Sequence, residues 1–95
     1  MKENHLLYFY GTDCPHCEAM RPLIAKLAFD TGVTLDERDV WTSQPDFRVY
    51  ENYQDSVRKT DPDCYGLPFF YNTKTKQYLC GEVNYKALKA WAMVE

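Results

Sequence analysis

The sequence has no apolar stretch long enough to cross a bilayer, no run of basic residues, and no repeat, linker or low-complexity tract. The first absence excludes a membrane-spanning helix. The short apolar run into which the N-terminus moves, ending at Gly11, is also too short for a signal-peptide core with its cleavage site, so a cytoplasmic protein is expected, in surroundings that keep thiols reduced. The second absence bears on partners. With 11 basic and 14 acidic residues mixed along the chain and a net charge of −3, there is no electrostatic footprint for nucleic acid. The third leaves a single domain over residues 1–95, expected to be a monomer. So small a domain buries a limited share of its surface and must fill its core well. The composition meets that demand: 45% of residues are hydrophobic and 16% aromatic, including 8 Tyr whose rings suit a core margin with wet hydroxyls.

Hydrophobic periodicity sets the element order. His5–Tyr10 is a continuous aromatic and aliphatic run, the mark of a strand covered on both faces. From Pro15 to about Asp30, Ala19, Met20, Leu23, Ile24, Leu27 and Ala28 recur at helical spacing, and Gly32 stops the helix. Val33–Val40 reads as a second, more polar strand near an edge. Ser43-Gln44-Pro45-Asp46 resembles a capping box, opening a helix with Phe47, Tyr50, Tyr53 and Val57 on one side and ending by Asp61-Pro62-Asp63. Leu67–Asn72 and Gln77–Cys80 are strands joined by the polar turn Thr73–Lys76, with Cys80 opposite Phe69. Asn84 can cap a last helix that turns Tyr85, Leu88, Trp91 and Ala92 to the sheet. The expected fold is α/β: a four-stranded mixed sheet flanked by three helices, in the order β-α-β-α-β-β-α.

The chemistry concentrates at Cys14-Pro15-His16-Cys17. A Cys-X-X-Cys also serves zinc sites, but here it follows a buried strand and opens a helix, which favours redox use. Cys14 falls at the N-cap and Pro15 at the first helical position, where its missing N–H costs nothing. A Cys14 thiolate there would accept hydrogen bonds from the free N–H groups of His16 and Cys17 and meet the positive end of the helix dipole. An imidazole at His16 adds to this, whereas Asp13 opposes it as a like charge. Cys17, deeper in the first turn, is expected to stay a thiol until it resolves a mixed disulfide.

Two further features carry a family resemblance. A proline five positions after the second Cys (Pro22), and Gly66-Leu67-Pro68 before the strand Phe69-Phe70-Tyr71, resemble the thioredoxin superfamily. The resemblance implies that Pro22 kinks the active-site helix, where it supplies no N–H to the Glu18 carbonyl. It also implies a cis bond at Pro68, on a loop lying against the Cys pair and presenting backbone to substrate. The substrate-binding set is then Asp13, Gly66, Leu67 and Pro68, beside the catalytic set Cys14, Pro15, His16 and Cys17, with no metal. The short form, starting at the first catalytic strand, is closer to glutaredoxin than to thioredoxin. The thioredoxin Trp before the motif is Asp13 here, and Leu7-Tyr8-Phe9 holds no buried acid. The Tyr of glutathione-using glutaredoxins is His16, and Asn84 stands near their Asp. The Pro-His dipeptide resembles the strongly oxidising disulfide-forming oxidases.

The resemblance thus implies a thiol–disulfide oxidoreductase acting on disulfide-bearing proteins without a tightly bound cofactor. Glutathione, as co-substrate, and a thioredoxin reductase-like enzyme both stay open as electron donor. Cys64, four residues before Pro68, reads either as an additional redox thiol or as a small hydrophobe, and Cys80 as strand packing. Alternatives to the enzyme are a metal or iron–sulfur module built on Cys14 and Cys17 and a non-catalytic interaction module.

Overall fold

The computed structural model describes residues 5–93; Met1–Asn4 and the last two residues lie outside it. Strand β1 (Leu6–Tyr10) leads into helix α1 (Pro15–Thr31). Strand β2 (Asp36–Asp39) and helix α2 (Gln44–Arg58) follow, then the hairpin strands β3 (Phe69–Asn72) and β4 (Tyr78–Cys80) and helix α3 (Tyr85–Met93). The sheet order is β2-β1-β3-β4. β1 runs parallel to β2 and antiparallel to β3, and β3 runs antiparallel to β4. The mixed four-stranded sheet with three helices expected from periodicity is therefore present.

Its two faces divide the apolar residues of the strands by their period of two. One cluster joins Leu6, Tyr8 and Phe70 to Met20 and Leu27 of α1 and Leu88, Trp91 and Ala92 of α3. The other joins Leu7, Phe9, Phe69 and Tyr71 to Val57 of α2. Phe9, Phe69 and Phe70 have no exposed surface, as a central strand pair covered on both sides requires. Truncating a filler such as the fully buried Leu27 to alanine costs about 2–5 kcal/mol in sites of this kind.

Local signals set most element ends. Gly32, at φ 76°, caps α1 in the left-handed region, and its N–H donates to the Ala28 carbonyl at 2.8 Å. The Ser43 hydroxyl accepts the Asp46 N–H at 3.3 Å, and Asn84 Oδ1 accepts the Ala87 N–H at 2.8 Å. In the hairpin turn Asn72 Oδ1 takes the N–H groups of Lys74 and Thr75. Phe69 lies opposite Cys80, the register expected. The Leu67–Pro68 peptide is cis.

Some expectations need correction. β2 keeps only Asp36-Glu37-Arg38-Asp39 of the longer strand expected, an edge strand of charged residues. Its Arg38 bridges Asp36 and Asp46, tying that edge to the first turn of α2. Ala19 is exposed, and Phe47, on the same side of α2 as Tyr50, is 40% exposed. Cys64 and Cys80 are neither a lone thiol nor plain packing: they form a disulfide, with Cα atoms 5.4 Å apart. Sequence alone could not establish that bond, because it depends on how the segment after α2 folds back over β4.

Candidate active site

Cys14 and Cys17 are the free cysteines of the chain, and both are buried. The turn Gly11–Asp13 delivers the chain from β1 to α1, with the Cys14 N–H donating to the Gly11 carbonyl at 3.4 Å. A Cβ at Gly11 would run into the indole ring of Trp41, so a larger residue there would have to displace that ring. Cys14 is the N-cap, with extended backbone, and Pro15 opens the helix. The Cys14 Sγ accepts the Cys17 N–H at 3.2 Å, so a sulfur occupies the position usually taken by a capping oxygen. A thiolate formed at Cys14 is thus met by a backbone donor and by the N-terminus of a 17-residue helix. That helix continues through Pro22 to Thr31.

The two thiols are not equivalent. Burial pushes the Cys17 thiol up to about 12, and a hydrogen bond to Cys14 adds to the effect. Below Cys17 lies Tyr8, whose hydroxyl donates to the Cys17 carbonyl at 3.3 Å. Burial, with the neighbouring Cys17 second, raises the Tyr8 phenol further above its already high range. On this side a cavity of about 230 Å³ is lined by Tyr8, Cys17, Arg21 and Glu37, among others.

Cys14 faces a different space. A cleft of about 480 Å³ reaches from Cys14 to α2, walled by Trp41, Phe47, Tyr50, Tyr65 and Leu67. Trp41 is 56% exposed, Phe47 40% and Tyr65 75%. Of the expected site residues, Cys14, Gly66 and Leu67 share this cleft. Pro68 does not line it: it is fully buried, and its carbonyl accepts the Gly81 N–H at 2.8 Å. Asp13 is exposed on the turn before Cys14. Cys64 is 2% exposed and committed to Cys80, and the Gln54 amide donates to its carbonyl at 2.8 Å.

The His16 side chain is largely exposed, and its Nδ1 pairs with the Glu82 carboxylate on the turn after β4. Glu82 gives no signal in the sequence, lying 66 residues from its partner. Its negative charge counters that of an imidazolium, so His16 offers the thiolate less than its place in the motif suggests. Trp41 belongs to no motif, although a large aromatic between a strand and a capped helix is a recognisable hint. Among the described residues no cluster of three or more His, Cys, Asp or Glu side chains is placed to hold a metal ion. No described helix is long and apolar enough to cross a membrane. Comparisons with protein families, with curated proteins and with solved structures return no match.

Proposed function

We propose that the protein is a thiol–disulfide oxidoreductase of the thioredoxin superfamily, of short glutaredoxin-like form, which passes electrons between Cys14/Cys17 and disulfides of other polypeptides. The observation that carries this reading is the asymmetry of the pair. Cys14 caps the helix with its sulfur and faces a cleft, while Cys17 is held as a thiol by burial. The element order and the mixed sheet are compatible with the superfamily's fold.

In the reducing direction the Cys14 thiolate attacks one sulfur of a substrate disulfide. The substrate S–S bond breaks, a Cys14 mixed disulfide forms, and the second substrate sulfur leaves as a thiolate that takes a proton from solvent. Cys17 then loses its proton and attacks the Cys14 sulfur. The first substrate sulfur leaves, and the Cys14–Cys17 disulfide remains. Two electrons have moved to the substrate, and glutathione or a reductase-like enzyme returns the pair to the dithiol. The oxidising direction is the reverse sequence. The polar side chains of Tyr8, Arg21 and Glu37, set among the largely apolar walls of the cavity beside Cys17, support a route for the proton that leaves Cys17.

Mass spectrometry tests the assignment. Cys17→Ser, incubated with a disulfide substrate, should accumulate a stable adduct on Cys14, because the resolving thiol is gone. Cys14→Ser should accumulate none. Adducts forming mainly on Cys17 in Cys14→Ser would reverse the roles, and none in either variant would remove the reading.

A further inference from the structure

The cleft beside Cys14 has a chemical bias that its aromatic walls alone do not explain. Its volume of about 480 Å³ accommodates a few side chains of an extended segment. Trp41, Phe47 and Tyr65 are exposed at its walls, which suits an apolar residue next to a reacting cysteine. The α2 wall adds Glu51 and Asp55, four residues apart and therefore stacked on one helix face. Both are exposed, and neither forms a salt bridge among the described residues. The cation on the same wall, Arg58, lies 4.8 Å from the centre of the Tyr65 ring. Two carboxylates against one guanidinium leave the lining acidic, and a Cys14 thiolate deepens the negative potential.

Resting on the oxidoreductase reading above, we propose that this cleft selects disulfides in polypeptide segments that carry an apolar residue and a Lys or Arg beside the reacting cysteine. A lysine or arginine reaching the Glu51/Asp55 wall gains attraction while its neighbour packs on the aromatic rings. Glutathione meets the opposite situation, since its two carboxylates outweigh its one ammonium and it brings no apolar side chain. Charges at the rim of a cleft act chiefly on encounter rate, and salt screens them over about 8–10 Å. The selectivity therefore belongs to low and moderate ionic strength.

The test uses single turnovers of the protein with Cys14 and Cys17 as thiols and Cys64–Cys80 bonded, so no added reductant enters. Symmetric disulfides of three short peptides serve as probes, identical in a Phe before the cysteine and differing in Lys, Gln or Glu after it, together with glutathione disulfide. Each turnover converts one probe disulfide into two thiols and Cys14/Cys17 into its disulfide. The Lys peptide should react about tenfold faster than the Glu peptide, a difference of about 1.4 kcal/mol at the barrier. Glutathione disulfide should be the slowest probe. The Lys-to-Glu ratio should shrink several-fold in Glu51→Gln/Asp55→Asn and at 0.5 M salt, and invert in Glu51→Lys/Asp55→Lys. Circular dichroism should show that these exposed substitutions leave the fold intact. Equal rates for the Lys and Glu peptides, or a ratio indifferent to the α2 substitutions, would overturn the proposed selectivity while leaving the oxidoreductase reading in place. Failure of the unaltered protein to reduce any of the four probes would remove both.

Discussion

The chain holds two cysteine pairs that differ in almost every physical respect. Cys14 and Cys17 lie within one turn of α1, remain thiols, and border two cavities. Cys64 and Cys80 lie 16 residues apart in sequence, are bonded, and belong to the packed face beneath α2. The first pair is set by local structure: a cap, a helix terminus and an unequal depth of burial. The second is set by tertiary structure, because one partner ends β4 and the other sits on the segment leading to β3. One pair is poised for exchange, while the other fastens the segment that contributes Tyr65, Gly66 and Leu67 to the cleft.

Removing the second pair should separate the two roles most sharply. A cross-link closing a loop of about 15 residues contributes roughly 3 kcal/mol in the chain-entropy account. Cys64→Ala/Cys80→Ala should therefore lower the melting temperature by more than about 10 °C. Exchange at Cys14 should survive in the folded fraction. Thermal unfolding alongside a disulfide-exchange assay checks both expectations. Loss of exchange with no loss of stability would mean that the bonded pair belongs to the reaction after all.

The unequal thiols offer a test within the first pair. Because burial holds Cys17 well above neutrality, its reactive fraction is small at pH 7 and grows about tenfold with each pH unit below its pKa. Decay of a preformed mixed disulfide at Cys14 should accelerate in that proportion between pH 7 and 9, without a plateau. Stopped-flow release of a chromophoric thiol reads the slope. A flat profile would show that Cys17 ionises readily and that the asymmetry is not functional.

The smallest effect is expected at His16. Its imidazole is exposed and already engaged by Glu82, so His16→Tyr should make the pair more reducing by less than ~30 mV, the equivalent of a factor of ten in the exchange equilibrium. Equilibration with glutathione buffers measures the shift. A change well beyond that size would restore His16 as a main determinant of the Cys14 thiolate.

The same contrast separates what was legible in the sequence from what was not. The aromatic run of β1, the capped starts of α1, α2 and α3, and the Phe69–Cys80 register follow from periodicity and turn chemistry within short windows. Cys14 as N-cap belongs with these. The Cys64–Cys80 bond, the Glu82–His16 contact and the turn of Phe47 towards the cleft do not, because each depends on how distant segments are placed. Helical spacing could group Phe47 with Tyr50 and Val57, but it could not show that Phe47 lines an open cleft. β2 is shorter than its apolar flanks suggest for a similar reason. Val33, Leu35 and Val40 are apolar and β-prone, yet the ladder beside β1 holds only the four charged residues between Leu35 and Val40.

The packing of Gly11 against Trp41 has an optical consequence. The chain's two tryptophans occupy opposite environments: Trp91 is 3% exposed with its Nε1–H donating to the Gln77 carbonyl, and Trp41 stands half in solvent at the cleft. Excited together, the two indoles should emit as a shielded blue component and a wetter red one. Whatever fills the cleft dries or quenches only the second. The protein therefore carries its own fluorescent reporter of cleft occupancy, with an internal standard on the far side of the sheet and no label attached.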